Sequence, residues 1–411
     1  MLELVKTKTI KDTAIVTAGM GLSTLLSAVS VFLIARLLNP TGFGVYVFAL
    51  AIAVILTDSL ELAISNSLVK FASGSRQSQE FIKFGFYLKL FTGLGLGILL
   101  AIFSRSLANL IQPQLTTPLL LAAGYVTVLF FHRFPRSVLQ AQKRFMADMA
   151  VECFTSLMRL ALILIFYIYF KLTVTTALLA YVLGAFLAFI LGARLISWEF
   201  LQIRISPNIR TDFFRFQKWL TLGFIAAAVH GRIDSLLLIK FSGPEATGIY
   251  QAAYRFFMPV IQLAAALSLV FAPRFSGFDS PEKSRIYLHK AVRLSLSLAG
   301  LSLLIIPFSP LLVQLIFGQS YKASIPTVRI LALGFAAFIG GAPFVSHLIY
   351  SSQRTKLFFG INLLQLFLLT GLDIWLLPRW GSLGAAWAMS LTLIVINGLL
   401  AGLAYVYTRQ G

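Results

Sequence analysis

The sequence predicts an all-α integral membrane protein, with about twelve transmembrane helices in two homologous six-helix bundles related by a parallel pseudo-twofold repeat. Three observations predict this class. Hydrophobic residues make up 58% of the 411 residues, long apolar runs recur along the chain, and the gaps between runs alternate in charge. A soluble fold cannot accommodate so many apolar segments, because their helices would keep little polar surface for water.

The apolar runs define the predicted spans, since about 20 mostly uncharged residues are needed to cross the hydrocarbon core. They begin near Thr13, Phe43, Phe84, Leu115, Met149, Val174, Gln217, Tyr250, Lys290, Ile325, Leu357 and Ser382. The first run is too long for a signal-peptide core and lacks a small-residue cleavage site, so we expect it to remain as the first helix. The connections are short, which predicts no sizeable domain outside the membrane.

The 34 Lys and Arg residues are segregated along the chain. Gaps on one side hold only Arg36, Arg105, Lys171, Lys240, Lys322 and Arg379. Gaps on the other side hold 23 cations, among them Lys6, Lys8, Lys11, Arg76, Arg133, Arg136 and Arg354. The positive-inside rule therefore predicts that both termini are cytoplasmic. Membrane insertion and anionic lipid headgroups account for the net charge of +20, so no nucleic-acid partner is predicted.

Several classes of protein are excluded by their missing motifs. A single cysteine, Cys153, cannot form an intrachain disulfide or a cysteine metal cluster. The chain has no phosphate-binding loop, no zinc-protease motif and no histidine pair at ligand spacing. The sequence therefore predicts no cofactor, no metal, no catalytic group and no enzymatic activity.

An internal repeat relates the two halves of the chain. Pro40-x-x-x-Gly44-x-Tyr46 recurs 204 residues later as Pro244-x-x-x-Gly248-x-Tyr250. Because an even number of predicted helices separates the copies, both halves have the same orientation, with an axis along the membrane normal. The predicted bundles are residues 1–205 and 206–411. Such a pair of bundles is typical of alternating-access carriers.

The predicted seam between the bundles is a basic loop that contains Pro207 and Asn208. It is followed by the segment 213–219, which mixes aromatic and cationic residues. Two readings stay open for this segment: an amphipathic interfacial stretch, or an ordinary helix start with snorkelling side chains. Glycines at 93, 95 and 97 and the pair Gly398-x-x-x-Gly402 predict close helix packing.

Charged residues at membrane depth are costly and indicate function. The predicted cargo-binding cations are Arg232, Arg255, Arg159, Arg329 and Lys89. The planar guanidinium group suits diphosphate or carboxylate oxygens, so a cationic cavity predicts an anionic cargo. For Arg159, pairing with an acid on another helix stays open. Arg329 and Lys89 could instead snorkel towards the membrane surface.

Acidic residues at depth have two open readings as well. Asp58 and Glu61 are either partners of Arg159 or Lys89 or a cation-coupling site. His230 and Asp234, spaced i and i+4, would share a helical face and could carry protons. The alternative is that His230 is a single hydrogen-bonded histidine that carries no protons.

The segment from Ala35 to Tyr46, through Asn39-Pro40, resembles the opening pattern of the polysaccharide-biosynthesis flippases. These O-antigen and related lipid-linked oligosaccharide transporters belong to the multidrug/oligosaccharidyl-lipid/polysaccharide exporter (MOP) superfamily. The second copy, from Gly243 to Ala252, and the polar link from Gln140 to Arg144 are similar to the corresponding loops of that family.

The resemblance implies a flippase of the bacterial inner membrane. Such a protein moves an undecaprenyl-diphosphate-linked sugar unit across the cytoplasmic membrane by alternating access, without ATP hydrolysis, for lipopolysaccharide or other polysaccharide biosynthesis. Its partners would be this lipid-linked oligosaccharide and membrane lipids, with a polysaccharide polymerase and export proteins as further candidates. The alternative is a multidrug or cation antiporter of the same superfamily. An enzyme of envelope assembly and a passive scaffold are disfavoured.

Overall fold

A computed structural model describes residues 2–74, 77–277, 280–351 and 355–410 of the chain. Arg76 and Arg354, counted above among the cytoplasmic cations, lie outside these residues, and the side chains of Lys6, Lys8 and Lys11 are not described. The described residues form helices joined by short links and contain no strand. The all-α class predicted from the sequence is confirmed.

Twelve α-helices are described in chain order. They are α1 (Leu2–Ala72), α2 (Ser78–Ile111), α3 (Thr116–Ala141), α4 (Phe145–Tyr169), α5 (Val174–Arg194), α6 (Pro207–His230), α7 (Ile233–Arg255), α8 (Met258–Ser276), α9 (Pro281–Ser302), α10 (Ile305–Ile316), α11 (Ser324–Ser346) and α12 (Thr355–Gln410). A short π-helical turn, His347–Ser351, follows α11.

Nine helical segments in the described ranges are long and apolar enough to cross a membrane, and the bent pair α9–α10 is a tenth candidate. The first and last candidates, Ala14–Ala72 and Gly360–Val406, are 59 and 47 residues long. Each is broken inside, at Asn39 and Gly381 respectively, so each is long enough for two crossings. The chain is therefore a multi-pass membrane protein, with about twelve crossings.

The first compact unit comprises Met1–Leu38 and Val45–Arg232. It therefore extends beyond residue 205 and includes α6, the helix that follows the predicted seam. Aromatic contacts hold α6 there: the ring centroid of Phe213 lies 6.2 Å from that of Phe71 and 5.2 Å from that of Phe84. Pro207 occupies the first turn of α6, where proline suits helix initiation.

The second compact unit comprises Asn39–Gly44 and Ile233–Gly411. Its core is built by α7, α8, α9, α11 and α12. Two glycines of α11 allow its close approach to α12: a Cβ atom on Gly334 would meet Ser390, and one on Gly341 would meet Asn397. In contrast, a Cβ atom on Gly398 or Gly402 would meet no described heavy atom within 4 Å, so the packing role predicted for that pair is wrong.

The predicted repeat is visible in the backbone. Helix α1 breaks at Asn39, with φ 58° and ψ 172°, and α7 breaks at Gly243, with φ 82° and ψ 179°. Each residue precedes the proline of its repeat copy, and both adopt the left-handed region that glycine and asparagine tolerate best. The Asn39 side chain accepts a hydrogen bond of 3.0 Å from the backbone N–H of Gly42, which caps the helix after the break.

Candidate functional site

A buried ionic network lies in the first unit, between α1, α2 and α3. The Lys89 ammonium group, 1% exposed, donates to Glu61 Oε1 at 2.8 Å, Ser65 Oγ at 2.8 Å and Ser137 Oγ at 2.9 Å. An ammonium group has three protons, so these acceptors satisfy it completely. The geometry places Lys89, predicted to bind cargo, in an ion pair with Glu61.

Arg133 completes this network from α3. Its Nη1 donates to Asp58 Oδ1 at 2.9 Å and to Glu61 Oε2 at 3.0 Å. Two cations therefore face two carboxylates, and the group is neutral. Sequence reasoning placed Arg133 in a cytoplasmic gap, but it lies inside α3. Within the helix, the acids of α1 compensate the charge of the arginine.

A second ionic group joins α3 to α4. Arg136 Nε donates to Asp148 Oδ1 at 2.7 Å, and Arg136 Nη1 donates to Glu152. Gln140 donates to the other oxygen of Asp148 at 2.8 Å. Arg136 was also predicted to lie in a gap and instead lies within α3, one turn after Arg133. Thus three cations of this bundle are matched by carboxylates.

Arg159 of α4 differs from these three cations. In the described part of the chain its guanidinium group makes no ion pair, and its buried Nε has no hydrogen-bond partner. Its Cζ lies 4.0 Å from the ring centroid of Tyr181, a cation–π geometry. The Tyr181 ring is supported edge-on by Tyr46 at 5.6 Å and Tyr125 at 5.7 Å.

The other predicted cargo residues are dispersed. Arg255 ends α7 and has a buried Nε without a hydrogen-bond partner among the described residues. Arg329 is exposed on α11, and its Nε donates to Ser309 Oγ at 3.0 Å. Arg232 lies partly buried in the two-residue turn between α6 and α7.

His230 and Asp234, predicted to share a helical face, lie on either side of a turn between two helices. Helix α6 ends at His230, and α7 begins at Ile233. Gly231 and Arg232 form the turn between them, and a shared role of His230 and Asp234 in proton transfer stays a prediction.

Two acidic residues, Asp234 and Asp373, are buried in the second unit. Asp234 is 5% exposed and Asp373 is fully buried. Asp234 Oδ1 accepts from the Ser235 backbone N–H at 2.6 Å, and Gln251 donates to Ser235 Oγ at 2.6 Å. Both oxygens of Asp373 have no hydrogen-bond partner among the described residues. A proton or a cation would relieve this arrangement.

Comparison with known families decides the classification. Residues 9–278 match the family described as "Polysaccharide biosynthesis protein", which is more than half of the chain. The chain belongs to this family.

This polysaccharide biosynthesis family member is similar in sequence to known relatives and in fold to solved structures. The chain is 24% identical over 367 residues to the lipopolysaccharide biosynthesis protein WzxC of Escherichia coli strain K12. This alignment covers 84% of the present chain and 70% of WzxC. A structure described as the lipid II flippase MurJ in an inward closed conformation aligns with a TM-score of 0.75 and 16% identity, covering 94% of this chain and 86% of MurJ.

The fold is shared more widely than the family. An inward-facing multidrug resistance transporter of the MATE family and MOP superfamily aligns with a TM-score of 0.74 and 15% identity, covering 94% of this chain and 95% of that chain. The likeness to both solved structures establishes the two-bundle transporter fold of this polysaccharide biosynthesis family member. It does not discriminate between their cargoes.

Sequence reasoning missed three features of this family member's site: the ion pairs of Arg133, those of Arg136, and the buried carboxyl group of Asp373 without a hydrogen-bond partner among the described residues. One signal could have found the arginines. Arg133 and Arg136 are three residues apart, as are Asp58 and Glu61, so each pair presents two like charges on one helical face. Two such faces of opposite sign are complementary, which identifies the acids of α1 as partners of Arg133 but not the α4 partners of Arg136.

Proposed function

We propose that the protein is a flippase that moves a polyprenyl-diphosphate-linked oligosaccharide or polysaccharide repeat unit across the cytoplasmic membrane. It acts by alternating access and without ATP hydrolysis. Membership of the polysaccharide biosynthesis family and the likeness to WzxC support a sugar-lipid cargo. The transporter fold supports a carrier rather than an enzyme.

One observation carries the proposal: the guanidinium group of Arg159 is kept in the bundle without a carboxylate partner. Lys89, Arg133 and Arg136 in the same unit are all matched. A buried cation is expensive, so a structural role would favour an acid as its partner. A cation held on a tyrosine ring keeps its N–H donors available for an anionic cargo.

The physical task fits this arrangement. A diphosphate cannot cross hydrocarbon unaided, whereas a polyprenyl tail need not leave it. The protein therefore has to shelter only the charged head and its sugars. We assign Arg159 to the diphosphate, and Arg232 and Arg255 remain cargo residues predicted from the sequence. Each would replace part of the water and counterions that surround the head outside the membrane.

Coupling to a cation gradient is the second part of the proposal. Asp58 and Glu61 are occupied by Arg133 and Lys89, so they are poor candidates for binding a free ion. Asp373, with Asp234 as a second buried acid of the same unit, is a better candidate, because both oxygens of its buried carboxyl group have no hydrogen-bond partner among the described residues. We propose that this pair takes up the coupling cation.

The proposed setting follows from the charge distribution and the relatives. We place the protein in the bacterial inner membrane with both termini in the cytoplasm. Its partners are the undecaprenyl-diphosphate sugar and the surrounding lipids, and a polysaccharide polymerase and export proteins are candidate partners in the same process.

A complementation experiment tests the function. In the native host with its chromosomal copy deleted, the wild-type gene should restore surface polysaccharide, measured by immunoblotting of surface glycan. Arg159→Ala should lower the amount at least about tenfold, the loss expected when a charge-assisted hydrogen bond is removed. Arg105→Ala, which changes an exposed cation, should export normally.

Two outcomes would contradict the proposal. Normal export by Arg159→Ala, at equal membrane levels of protein, would remove Arg159 from cargo binding. Deletion that leaves surface glycan unchanged but raises drug susceptibility would identify the protein as a multidrug antiporter instead. Arg232→Ala and Arg255→Ala follow the same design, each expected to lower export at wild-type protein levels.

A further inference from the structure

Helix α6 presents a cationic and apolar face that the proposed transport pathway does not use. Arg210, Phe214, Lys218 and Leu222 follow one another at intervals of four residues, and all are exposed. Arg215 lies beside this stripe and is also exposed. Residues at this spacing share one side of a helix. The helix therefore offers a band in which guanidinium and ammonium groups alternate with large apolar side chains.

The opposite face of α6 is fixed to the first unit. Ile209 and Phe213 are fully buried, and the Phe216 ring centroid lies 5.8 Å from that of Phe71. The Lys70 ammonium group stands 3.5 Å above the centroid of the Phe216 ring. These contacts hold the helix rigidly, so the positions of its exposed cations are set by the fold rather than by a free loop.

Small-molecule pockets have volumes of roughly 300–1,000 Å³, and the hollow beside this face has a volume of about 750 Å³. Its lining includes the three cations and, from α1, Leu60. Phe214 and Leu222 add apolar surface next to the charges. A ligand that fits this hollow has an anionic end and an apolar portion, which is the chemistry of a lipid phosphate or diphosphate.

A buried amide inside the hollow points to a ligand independently of the charges. Gln217 lines the hollow, is 8% exposed, and has an Oε1 atom that is buried without a hydrogen-bond partner among the described residues. An unpaired buried polar atom costs free energy. A side-chain amide can turn to present either its oxygen or its nitrogen. Gln217 can therefore accept a hydrogen bond from a sugar hydroxyl or donate one to a phosphate oxygen.

We propose that the α6 hollow is a capture site for the diphosphate head of a polyprenyl-diphosphate lipid, bound by Arg210, Arg215 and Lys218 with Gln217. The inference rests on the proposed function and adds a binding site separate from Arg159. The charge of the lipid head group favours a diphosphate lipid over an ordinary phospholipid. A diphosphate carries twice the charge of a phosphodiester headgroup, and three convergent cations match it better. The exposed Phe214 and Leu222 lie where the polyprenyl chain leaves the head for the membrane.

A binding experiment on the purified full-length protein in detergent tests this site. The probes are undecaprenyl diphosphate and dioleoyl phosphatidylglycerol, and native mass spectrometry measures their occupancy across a concentration series. The triple variant Arg210→Gln, Arg215→Gln, Lys218→Gln should bind undecaprenyl diphosphate at least about tenfold more weakly than wild type. Gln217→Ala alone should weaken it about threefold without any change of charge.

A matched control removes the same charge from another exposed cluster. Arg285, Lys290 and Arg293 of α9 line a hollow of 360 Å³ in the second unit. Their replacement by glutamine should change the affinity for undecaprenyl diphosphate less than about twofold, because this cluster lacks a buried unpaired amide in its lining.

The outcomes separate the inference from the proposed function. Equal binding by wild type and the α6 triple variant would overturn the capture site and leave the flippase proposal standing. Equal affinity of the site for phosphatidylglycerol would reassign it to bulk lipid and overturn the diphosphate assignment. Failure of the wild-type protein to bind undecaprenyl diphosphate would overturn both proposals together.

Discussion

Gly44 and Gly248 each pack against the proline turn of the other repeat copy. A Cβ atom on Gly44 would collide with the carbonyl oxygen of Pro244, and one on Gly248 would collide with that of Pro40. All four residues belong to the second compact unit. The two copies of the motif therefore meet backbone to backbone, and the contact is reciprocal, as a twofold relationship requires.

This contact predicts that alanine cannot replace either glycine without a shift of the backbone. Gly44→Ala and Gly248→Ala should each destabilise the protein by about 1–3 kcal/mol, the usual cost of overpacking. Thermal unfolding of the purified protein in detergent measures the effect. Gly398→Ala is the control, since its added methyl group would meet no described atom within 4 Å and the helix gains from alanine. Equal melting temperatures for all three variants would contradict the contact.

The Lys89–Glu61 pair predicts a strong asymmetry between single and double substitutions. Lys89→Met alone should cost about 3–5 kcal/mol, because it leaves Glu61 buried with one of its two cationic partners gone. Lys89→Met with Glu61→Gln should recover most of that loss, since no uncompensated charge is left and Arg133 keeps Asp58. Thermal unfolding measures both. A double variant as unstable as the single one would show that the pair does not act as a unit.

The tyrosine ring under Arg159 predicts a difference between an aromatic and an aliphatic replacement. Tyr181→Phe should retain export within about twofold, because the ring face that holds the guanidinium group is kept. Tyr181→Leu should lower export about tenfold or more, since a desolvated cation–π contact contributes about 2 kcal/mol. Surface glycan reports activity, and membrane protein levels report folding. Loss of export by both variants would assign the role to the hydroxyl group instead.

The Asp234–Asp373 pair predicts where the driving force acts. Asp373→Asn should make the rate of lipid translocation in proteoliposomes insensitive to an imposed sodium or proton gradient, and lower the driven rate about tenfold or more. Asp58→Asn should keep the gradient dependence and lose stability, because it removes a partner of Arg133. An Asp373→Asn protein that still responds to the gradient would exclude this pair from coupling.

Much of the fold could be predicted because the features that determine it can be read directly along the sequence. Apolar length fixes the crossings, and the repeat motif marks the two equivalent breaks at Asn39 and Gly243. Pro40 and Pro244 are visible in the sequence, and each removes a backbone donor that a continuous helix would use. The division of the chain was harder. Aromatic contacts of Phe213 place α6 in the first unit, and such contacts leave no periodic signal.

Much of the site could not be predicted, because ion pairing depends on which helices are neighbours. Arg133 and Arg136 were assigned to a gap since a charge usually ends an apolar run, yet acids of α1 and α4 neutralise them inside α3. His230 and Asp234 were paired by spacing, and a turn at Gly231 separates them. Asp373 is distant in sequence from Asp234, and only folding buries both in the same unit.

The fully saturated ammonium group of Lys89 has a consequence for biogenesis. A lysine at the centre of a single helix costs about 3 kcal/mol to insert, whereas Lys89 in the finished bundle meets a carboxylate and two hydroxyl groups. The carboxylate belongs to α1, which is synthesised first. Helix α1 would therefore already lie in the membrane, with the carboxylate that pairs with Lys89, when α2 is inserted. The order of synthesis thus lowers the free-energy cost of inserting α2.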